Sequence, residues 1–316
     1  MHRRSLLGGA ASMAALTPMR RVQAADWPSR VISLIMPFNA GGPSDGFARL
    51  VAAELNRRLG DPGVVVMNKP GAAGNLGLAE VAAAAPDGYT LGVATNSVAA
   101  HVVLTPRPIV TLDSFTWVAN LVFEPSVIVV RPGGVTDLRA FVALARGRPV
   151  SVAHAGIGTS HQIALTMLER RGGVELVQVP FTGSAPAKTQ IIGGHVDAGC
   201  FPLSEALTMV RANQGVALGV TTAERSPFAP ELPTFREQGF DVVSGTRRGI
   251  VAPAGLPPAI RDRLTGALAQ VMQSREIRTL LDNAQIQIEW MTGDALLAAM
   301  RENLAQLREL GLTAAR

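Results

Sequence analysis

A short glycine-bearing loop, Pro37 to Asp45, lies between a predicted strand and a predicted helix near the start of the chain. Residues 31–38 are mostly valine, isoleucine, leucine and phenylalanine, which predicts a buried strand. From Phe47 to Leu59, apolar side chains recur at steps of three and four residues, which predicts an amphipathic helix. The tandem glycines allow a tight turn, and Ser44 or Asp45 is placed to cap the first helical turn.

This arrangement has a chemical consequence. A strand, a glycine turn and a helix start leave backbone N–H groups pointing outward, at the end of the helix dipole that carries about half a positive charge. Such a site suits a small anion. For this loop taken alone, a plain connection in an α/β protein is the alternative.

A second loop of the same kind, Ala155 to His161, follows a short predicted strand and precedes the helix predicted from Ile163. The two loops lie in different halves of the chain. If they face each other, their N–H groups and the hydroxyls of Thr159 and Ser160 hold one anion from both sides. That is the construction of a two-lobed binding protein.

The first residues are predicted to be an export signal rather than part of the fold. Arg3 and Arg4 precede a weakly apolar segment, and Val22 to Ala24 fits a small-residue cleavage site. The stretch from Arg3 to Leu7 also resembles a twin-arginine export signal. We therefore expect residues 1–24 to be removed and the mature protein to be periplasmic.

Composition excludes several classes of function. The chain has 316 residues, enough for two α/β domains. Residues 1–24 hold four arginines and no acid, so the remainder has 25 basic against 24 acidic residues and no basic surplus for nucleic acid. No later apolar run approaches the ~20 residues of a membrane helix. Cys200 is the only cysteine, so no internal disulfide can form.

Strands and helices alternate along the chain, which predicts a parallel sheet with helices on both faces. The chain is expected to cross between two domains near residues 123 and 245, with lobe 1 formed by residues 25–122 and 246–316 and lobe 2 by residues 123–245. The tail after Pro253 is predicted to be helical and to pack back on lobe 1. Extended segments are predicted at residues 64–67, 89–94, 123–130, 150–154, 176–179, 216–221, 240–243 and 249–252.

The sequence lacks the signatures of common enzymes and metal sites. It has no G-x-S-x-G, P-loop or G-x-G-x-x-G motif, and its five histidines include no H-x-x-x-H pair. His154 and His161 flank Ser160, so a Ser160 nucleophile with a histidine base is an enzymatic alternative; structural roles for both histidines are favoured. We predict that the protein is not an enzyme and has no cofactor or metal.

Taken together and in order, a set of motifs resembles the substrate-binding proteins of the tripartite tricarboxylate transporter family, also called Bug receptors. The motifs are Pro37–Asp45, Asn68–Asn75, Ala85–Leu91, Ala155–His161, Val179–Ala187, Arg225–Pro227, Leu232–Thr234, Glu237–Gly239 and Ala252–Gly255. They span nearly all of the chain after the export signal.

The resemblance implies a type II periplasmic-binding-protein (Venus-flytrap) fold: two α/β lobes, a hinge of two strands, and a ligand in the cleft. Family members bind small carboxylates, with one carboxylate group held by the two loops, partly through ordered waters. Carried over by position, the ligand-binding residues would be Phe38, Asn39, Ala40, Gly41, Gly42, Ser44, Asp45, Asn96, Ala155, Gly158, Thr159, Ser160, His161, Pro180, Phe181, Thr182 and Gly183.

The sequence departs from the family pattern at two places. Residues 199–202 stand where family members often have an acidic or amide residue, and Arg247 and Arg248 stand where an aromatic residue is common. In an extended segment adjacent side chains point to opposite faces, so at most one arginine faces the cleft. Arg247 is taken as a candidate, with Arg248 left open. An inward arginine would bind a second carboxylate, making the ligand a dicarboxylate or an aromatic acid with a second anionic group; two surface arginines are the alternative.

The leading prediction is a monomeric periplasmic receptor that captures a small organic carboxylate and delivers it to membrane transporter subunits. An extracytoplasmic sensor that presents the bound acid to a membrane signalling protein is the alternative. A hydrolytic enzyme is less favoured.

Overall fold

The structure is a computed structural model that describes residues 27–41 and 43–311. The predicted export signal lies outside the described residues. Within the described ranges, no helix is both long enough and apolar enough to cross a membrane.

The first sheet is built on three parallel strands near the start of the chain. Strand β1 (Ile32–Met36) lies between β2 (Val64–Asn68) and β3 (Thr90–Thr95). The other edge of β3 pairs antiparallel with β9 (Gly245–Pro253), which arrives from much later in the chain. Strands from early and late in the described part of the chain therefore share one sheet.

Strand β4 (Phe115–Val130) belongs to both sheets. Residues 115–125 pair with β9 in the first sheet, whereas residues 126–130 pair with strands of the second sheet. The chain therefore passes between the sheets within one strand and comes back through β9. We keep the predicted division and call residues 27–122 and 246–311 lobe 1 and residues 123–245 lobe 2.

The second sheet contains shorter strands that alternate with helices. Its elements are α4 (Leu138–Gly147), β5 (Ser151–His154), α5 (Ser160–Gly172), β6 (Val177–Pro180), α6 (Ser184–Ile192), β7 (Ala198–Pro202), α7 (Leu203–Arg211) and β8 (Val216–Val220). Strand β5 is parallel to both β6 and β7, and β7 and β8 are antiparallel to β4.

Lobe 1 is completed by helices from both ends of the chain. They are α1 (Pro43–Leu59), α2 (Asn75–Ala83), α3 (Ser97–Leu104), α8 (Pro258–Gln273), α9 (Arg275–Asn283) and α10 (Gly293–Glu309), and β10 (Gln287–Thr292) pairs antiparallel with β4. Leu264 and Leu268 of α8 are fully buried in one core cluster of lobe 1, and Leu296 and Met300 of α10 are buried in another. The helical tail thus packs on lobe 1.

One extended segment predicted from sequence is not a strand. Residues 240–243 have no ladder partner, and the N–H of Val242 donates instead to the carbonyl of Phe240 at 2.8 Å. Val242 is nevertheless completely buried. Its apolar character reflects burial in a turn rather than a place in the sheet.

Candidate functional site

The second glycine-bearing loop contacts lobe 1, and Arg248 of β9 lies between the starts of the helices that follow the two loops. The first follows the carboxyl end of β1, and the second follows the carboxyl end of β5. A Cβ atom added at Gly158 would lie 3.6 Å from the Cβ of Ala100 and 3.7 Å from Cδ1 of Leu104, so the second loop rests against α3 of lobe 1. The hydroxyl oxygens of Ser160 and Thr246 are 2.5 Å apart. The lobes are therefore in direct contact at the site.

Asp45 holds the first loop in shape. Its carboxylate accepts hydrogen bonds from the Gly41 N–H at 3.0 Å, from Asn68 Nδ2 at 2.8 Å and from Arg49 Nε at 3.0 Å. The same Asn68 amide donates to the carbonyl of Phe38 at 3.0 Å. Because α1 begins at Pro43, Asp45 lies inside the first turn and reaches back to the loop. It is a loop-fastening residue, which corrects the expectation that it caps the helix.

Asp45 is ionised at neutral pH. Burial opposes its ionisation, but the hydrogen bonds from Gly41, Arg49 and Asn68 outweigh burial and hold the pKa of Asp45 below its usual value. Arg49 balances its negative charge directly. The ion pair of Asp45 with Arg49 therefore adds no net charge to the first loop.

Replacing Asp45 with asparagine should lower both the free energy of unfolding and the affinity for a carboxylate ligand. The expected stability loss at neutral pH is about 1.5–3 kcal/mol, the scale of a hydrogen bond to a charged group. The pKa of Asp45 is lower in the folded state than in the unfolded state, where it is about 3.9. The stabilisation by Asp45 is therefore fully present above the unfolded-state pKa, and it disappears as the pH falls through the folded-state pKa. Urea unfolding at neutral and acidic pH measures it.

The matched control for this prediction is Asp137, whose carboxylate caps α4 by accepting from the Ala140 N–H at 2.8 Å. Asparagine caps helices about as well as aspartate, so Asp137→Asn should be nearly neutral. Equal effects of Asp45→Asn and Asp137→Asn would contradict the loop-fastening role.

The second loop leaves N–H groups free at the start of α5. Thr159 caps the helix by accepting from the Gln162 N–H, and Gly158 N–H donates to Gln162 Oε1 at 2.6 Å. Among the described residues, no hydrogen bond uses the backbone N–H groups of Ser160 and His161. Unpaired donors of this kind, at the positive end of a helix dipole, are of the type that binds small anions in proteins.

Two buried histidines lie at this loop, and both are uncharged at neutral pH. Burial lowers the pKa of His154, although a hydrogen bond with the Gly156 carbonyl partly opposes this. Burial also lowers the pKa of His161 to about 3, helped by repulsion from Arg248 and, at acidic pH where His154 is protonated, from His154. The hydroxyl of Ser160 pairs with Thr246, and within the described part of the chain no hydrogen bond joins it to either histidine. The hydrogen-bond partner of the Ser160 hydroxyl is thus a threonine of β9 rather than a histidine base.

The two adjacent arginines of β9 point to opposite faces. Arg247 makes two hydrogen bonds to the Glu289 carboxylate, at 2.7 and 3.0 Å, and its guanidinium lies 5.0 Å from the centre of the Phe123 ring. Arg248 is 5% exposed, donates from Nε to the Ser44 hydroxyl at 3.0 Å, and places Nη1 2.9 Å from Glu124 Oε2. This corrects the choice of Arg247: the arginine beside the two loops is Arg248.

The other candidates have different positions. Asn96 accepts from the Arg247 N–H at 2.8 Å and so supports β9, while the N–H of Phe181 donates to the His154 carbonyl at 2.9 Å and brings residues 180–183 beside the second loop. Phe38 is half-buried, and Asn39 and Ala40 are exposed. Gly42 lies outside the described residues.

Sequence reasoning missed Glu124, Ser204 and Thr246. The Glu124 carboxylate is buried and accepts hydrogen bonds from the Ser204 backbone N–H, at 3.3 Å, and from the Ser204 hydroxyl. A carboxylate inside an otherwise apolar strand was the available signal, because such a group is rarely buried without a partner.

Comparison with known proteins decides the family. Residues 47–310 match the family described as "Tripartite tricarboxylate transporter family receptor". The chain belongs to this receptor family. Malate-bound MatC from Rhodopseudomonas palustris is 31% identical to this receptor, with a TM-score of 0.81 over 90% of this chain and 99% of MatC.

Two further structures support the fold of this receptor. Periplasmic binding protein BugD is 28% identical, with a TM-score of 0.82 over 92% of this chain and 100% of BugD. Rpa4515 of R. palustris with adipate is 26% identical, with a TM-score of 0.84 over 92% of this chain and 100% of Rpa4515. The predicted periplasmic-binding-protein fold and the predicted family are both confirmed.

Proposed function

We propose that this receptor captures a small organic carboxylate between its lobes in the periplasm and delivers it, as a monomer, to the membrane subunits of a tripartite transporter. One observation carries the proposal: among the described residues, the first N–H groups of α5 are unused where the second loop rests against lobe 1. The relatives with bound malate and adipate support the same ligand class. Export through the signal at residues 1–24, by the twin-arginine route, belongs to the proposal.

In the proposed binding mode, backbone N–H groups and the helix dipole bind the ligand carboxylate, rather than a positively charged side chain. One carboxylate group of the ligand accepts from the N–H groups of Ser160 and His161, while the loop fastened by Asp45 closes over its other side. Hydroxyls of Ser44 and Thr159 lie at the two helix starts. An oxyanion at a helix start is stabilised by both the free N–H groups and the dipole.

Closure of the two lobes is the proposed response to the ligand. Strands β4 and β9 are the connections between the lobes, and a ligand that contacts both lobes favours the closed arrangement because it binds that arrangement more tightly. The membrane subunits would then receive the closed, loaded receptor. The division into lobes at residues 123 and 245 is part of this proposal.

A thermal-shift panel tests the ligand class. At about 100 times its dissociation constant, a ligand that binds only the folded receptor adds roughly 2.7 kcal/mol to the free energy of unfolding. We expect organic acids of the size of malate and adipate to raise the melting temperature, and matched sugars and metal salts not to do so. A panel in which sugars or metals stabilise the receptor and no organic acid does would contradict the proposal.

A further inference from the structure

Helix α5 belongs to lobe 2 in sequence but packs into the cores of both lobes. Its side chains Ala164, Leu165 and Leu168 are buried in the core of lobe 2. Ile163 instead joins the core cluster that contains α3 and α10 of lobe 1, and it is the one lobe 2 residue among the buried described members of that cluster. Met167 packs against both cores. The two lobes therefore share an apolar contact along this helix.

The face of α5 toward lobe 1 is apolar in its middle and polar at both ends. Ser160, Ile163, Met167 and Arg170 follow one another at steps of three and four residues, so they lie on one side of the helix. The Ser160 hydroxyl pairs with Thr246 of lobe 1 at one end. At the other end, Nη2 of Arg170 lies 3.8 Å from the Cβ position of Gly311. Ile163 and Met167 thus form the apolar part of this face.

The apolar contact between α5 and α10 ends at Met167. Beyond it a cleft of about 570 Å³ separates the two helices, and Arg170, Arg171 and Glu309 line this cleft. These three charged side chains are exposed, so water solvates them whether the lobes are together or apart. The apolar side chains differ, because Ile163 is 3% exposed and would meet water if α5 moved away from lobe 1.

We infer that Ile163 and Met167 form an apolar latch, which holds the lobes together for part of the time without any ligand and thereby raises the affinity for one. Burial of apolar surface favours the closed arrangement whatever occupies the binding site. Neither side chain contacts the carboxylate in the proposed binding mode, so both are positioning residues.

The latch acts on affinity through the fraction of receptor that is closed. For a ligand that binds only the closed arrangement, the apparent dissociation constant is the intrinsic constant divided by this fraction. A receptor with a weakened latch therefore binds the same ligand less tightly without losing a ligand contact. This effect on affinity rests on the proposed function, whereas the effect on closure does not.

Solution scattering of the ligand-free receptor tests the latch directly. Ile163→Ala removes most of the apolar side chain, so we expect a larger radius of gyration than in the unsubstituted receptor. Ile163→Val keeps most of the side chain and should restore the compact value. Leu165→Ala is the matched control, because Leu165 is equally buried on the same helix but faces the core of lobe 2. It should destabilise the fold similarly and stay compact. An unchanged radius of gyration for Ile163→Ala would overturn the inference.

Titration calorimetry with malate and with adipate tests the effect on affinity. We expect Ile163→Ala to bind about tenfold more weakly than the unsubstituted receptor, which corresponds to about 1.4 kcal/mol, and Leu165→Ala to stay within about threefold. An opened Ile163→Ala variant with unchanged affinity would overturn the role of the latch in binding. If no organic acid binds the unsubstituted receptor, the proposed function fails, and the ligand-free scattering still decides whether the latch exists.

Met167→Gln keeps the test decisive if Ile163→Ala fails to fold. Met167 is only partly buried, and glutamine has a similar length and a high helix propensity, so this variant should fold. Its amide is better solvated when the lobes are apart. We expect a larger radius of gyration without ligand and weaker binding of malate and adipate. A compact Met167→Gln variant with unchanged affinity would overturn the inference.

Discussion

Replacing Gly158 with valine should weaken carboxylate binding by about 100-fold, or about 2.7 kcal/mol, while both lobes remain folded. Gly158 has a φ of +81°, and its Cβ position already touches Ala100 and Leu104 of the other lobe. A β-branched side chain is an outlier in that backbone region. Its two methyl groups would also meet α3 before the lobes could close. Titration calorimetry measures the affinity, and solution scattering should show no ligand-induced compaction of the variant.

Gly133 provides a control with the same backbone strain and no neighbour. Its φ is +83°, and a Cβ atom there would meet nothing within 4 Å. Gly133→Val should therefore lose a similar amount of stability, about 1–2 kcal/mol for an L-residue in the left-handed region, and keep its affinity. If both valine variants bound the ligand equally well, contact between the second loop and α3 would not be needed for binding.

Replacing Glu124 with alanine should lower the free energy of unfolding by about 3–5 kcal/mol, the cost of leaving a buried charge without its partner. The side chain of Glu124 is completely buried and that of Arg248 is 6% exposed, so water cannot replace the lost carboxylate. Removing both charges, in Glu124→Ala with Arg248→Met, should recover part of the loss. Urea unfolding followed by circular dichroism gives both values.

Glu54→Ala is the comparison for this second experiment. The Glu54 side chain is 4% exposed, but its partners Arg57 and Arg58 are 65% and 21% exposed and regain water when the carboxylate is removed. The decrease in the free energy of unfolding should be clearly smaller for Glu54→Ala than for Glu124→Ala. A cost below about 1 kcal/mol for Glu124→Ala, the range of surface ion pairs, would show that Arg248 finds another partner.

Local signals explain why the two loops could be predicted. An apolar run, a glycine pair and the start of an apolar periodicity all lie within residues 31–59, and the same pattern recurs at residues 150–168. By contrast, β7 was missed because glycine, cysteine and proline occupy three of its five positions, and β10 alternates partly exposed residues. Both strands are defined by pairing with β4, which lies far away in sequence.

The side chains between the loops could not be assigned from local patterns for the same reason. Alternation correctly placed the two arginines on opposite faces, but the choice between them depends on the register that sets Arg247 opposite Phe123. The contact of Arg248 with Ser44 joins residues 204 positions apart. No spacing within a short window carries that information.

The path of the chain through β4 and β9 also sets an order in which the lobes can be completed during synthesis. Every strand of the second sheet lies within residues 126–220, so this sheet is complete once that stretch has emerged. The first sheet is started earlier but completed later. One edge of β3 stays unpaired until β9 is made, and the core beside this sheet is completed only by the helices of the tail. Open strand edges invite pairing with other chains. Lobe 1 is thus the first lobe to be started and the last to be completed. The nascent chain is most exposed to aggregation in the interval before residue 245 is made.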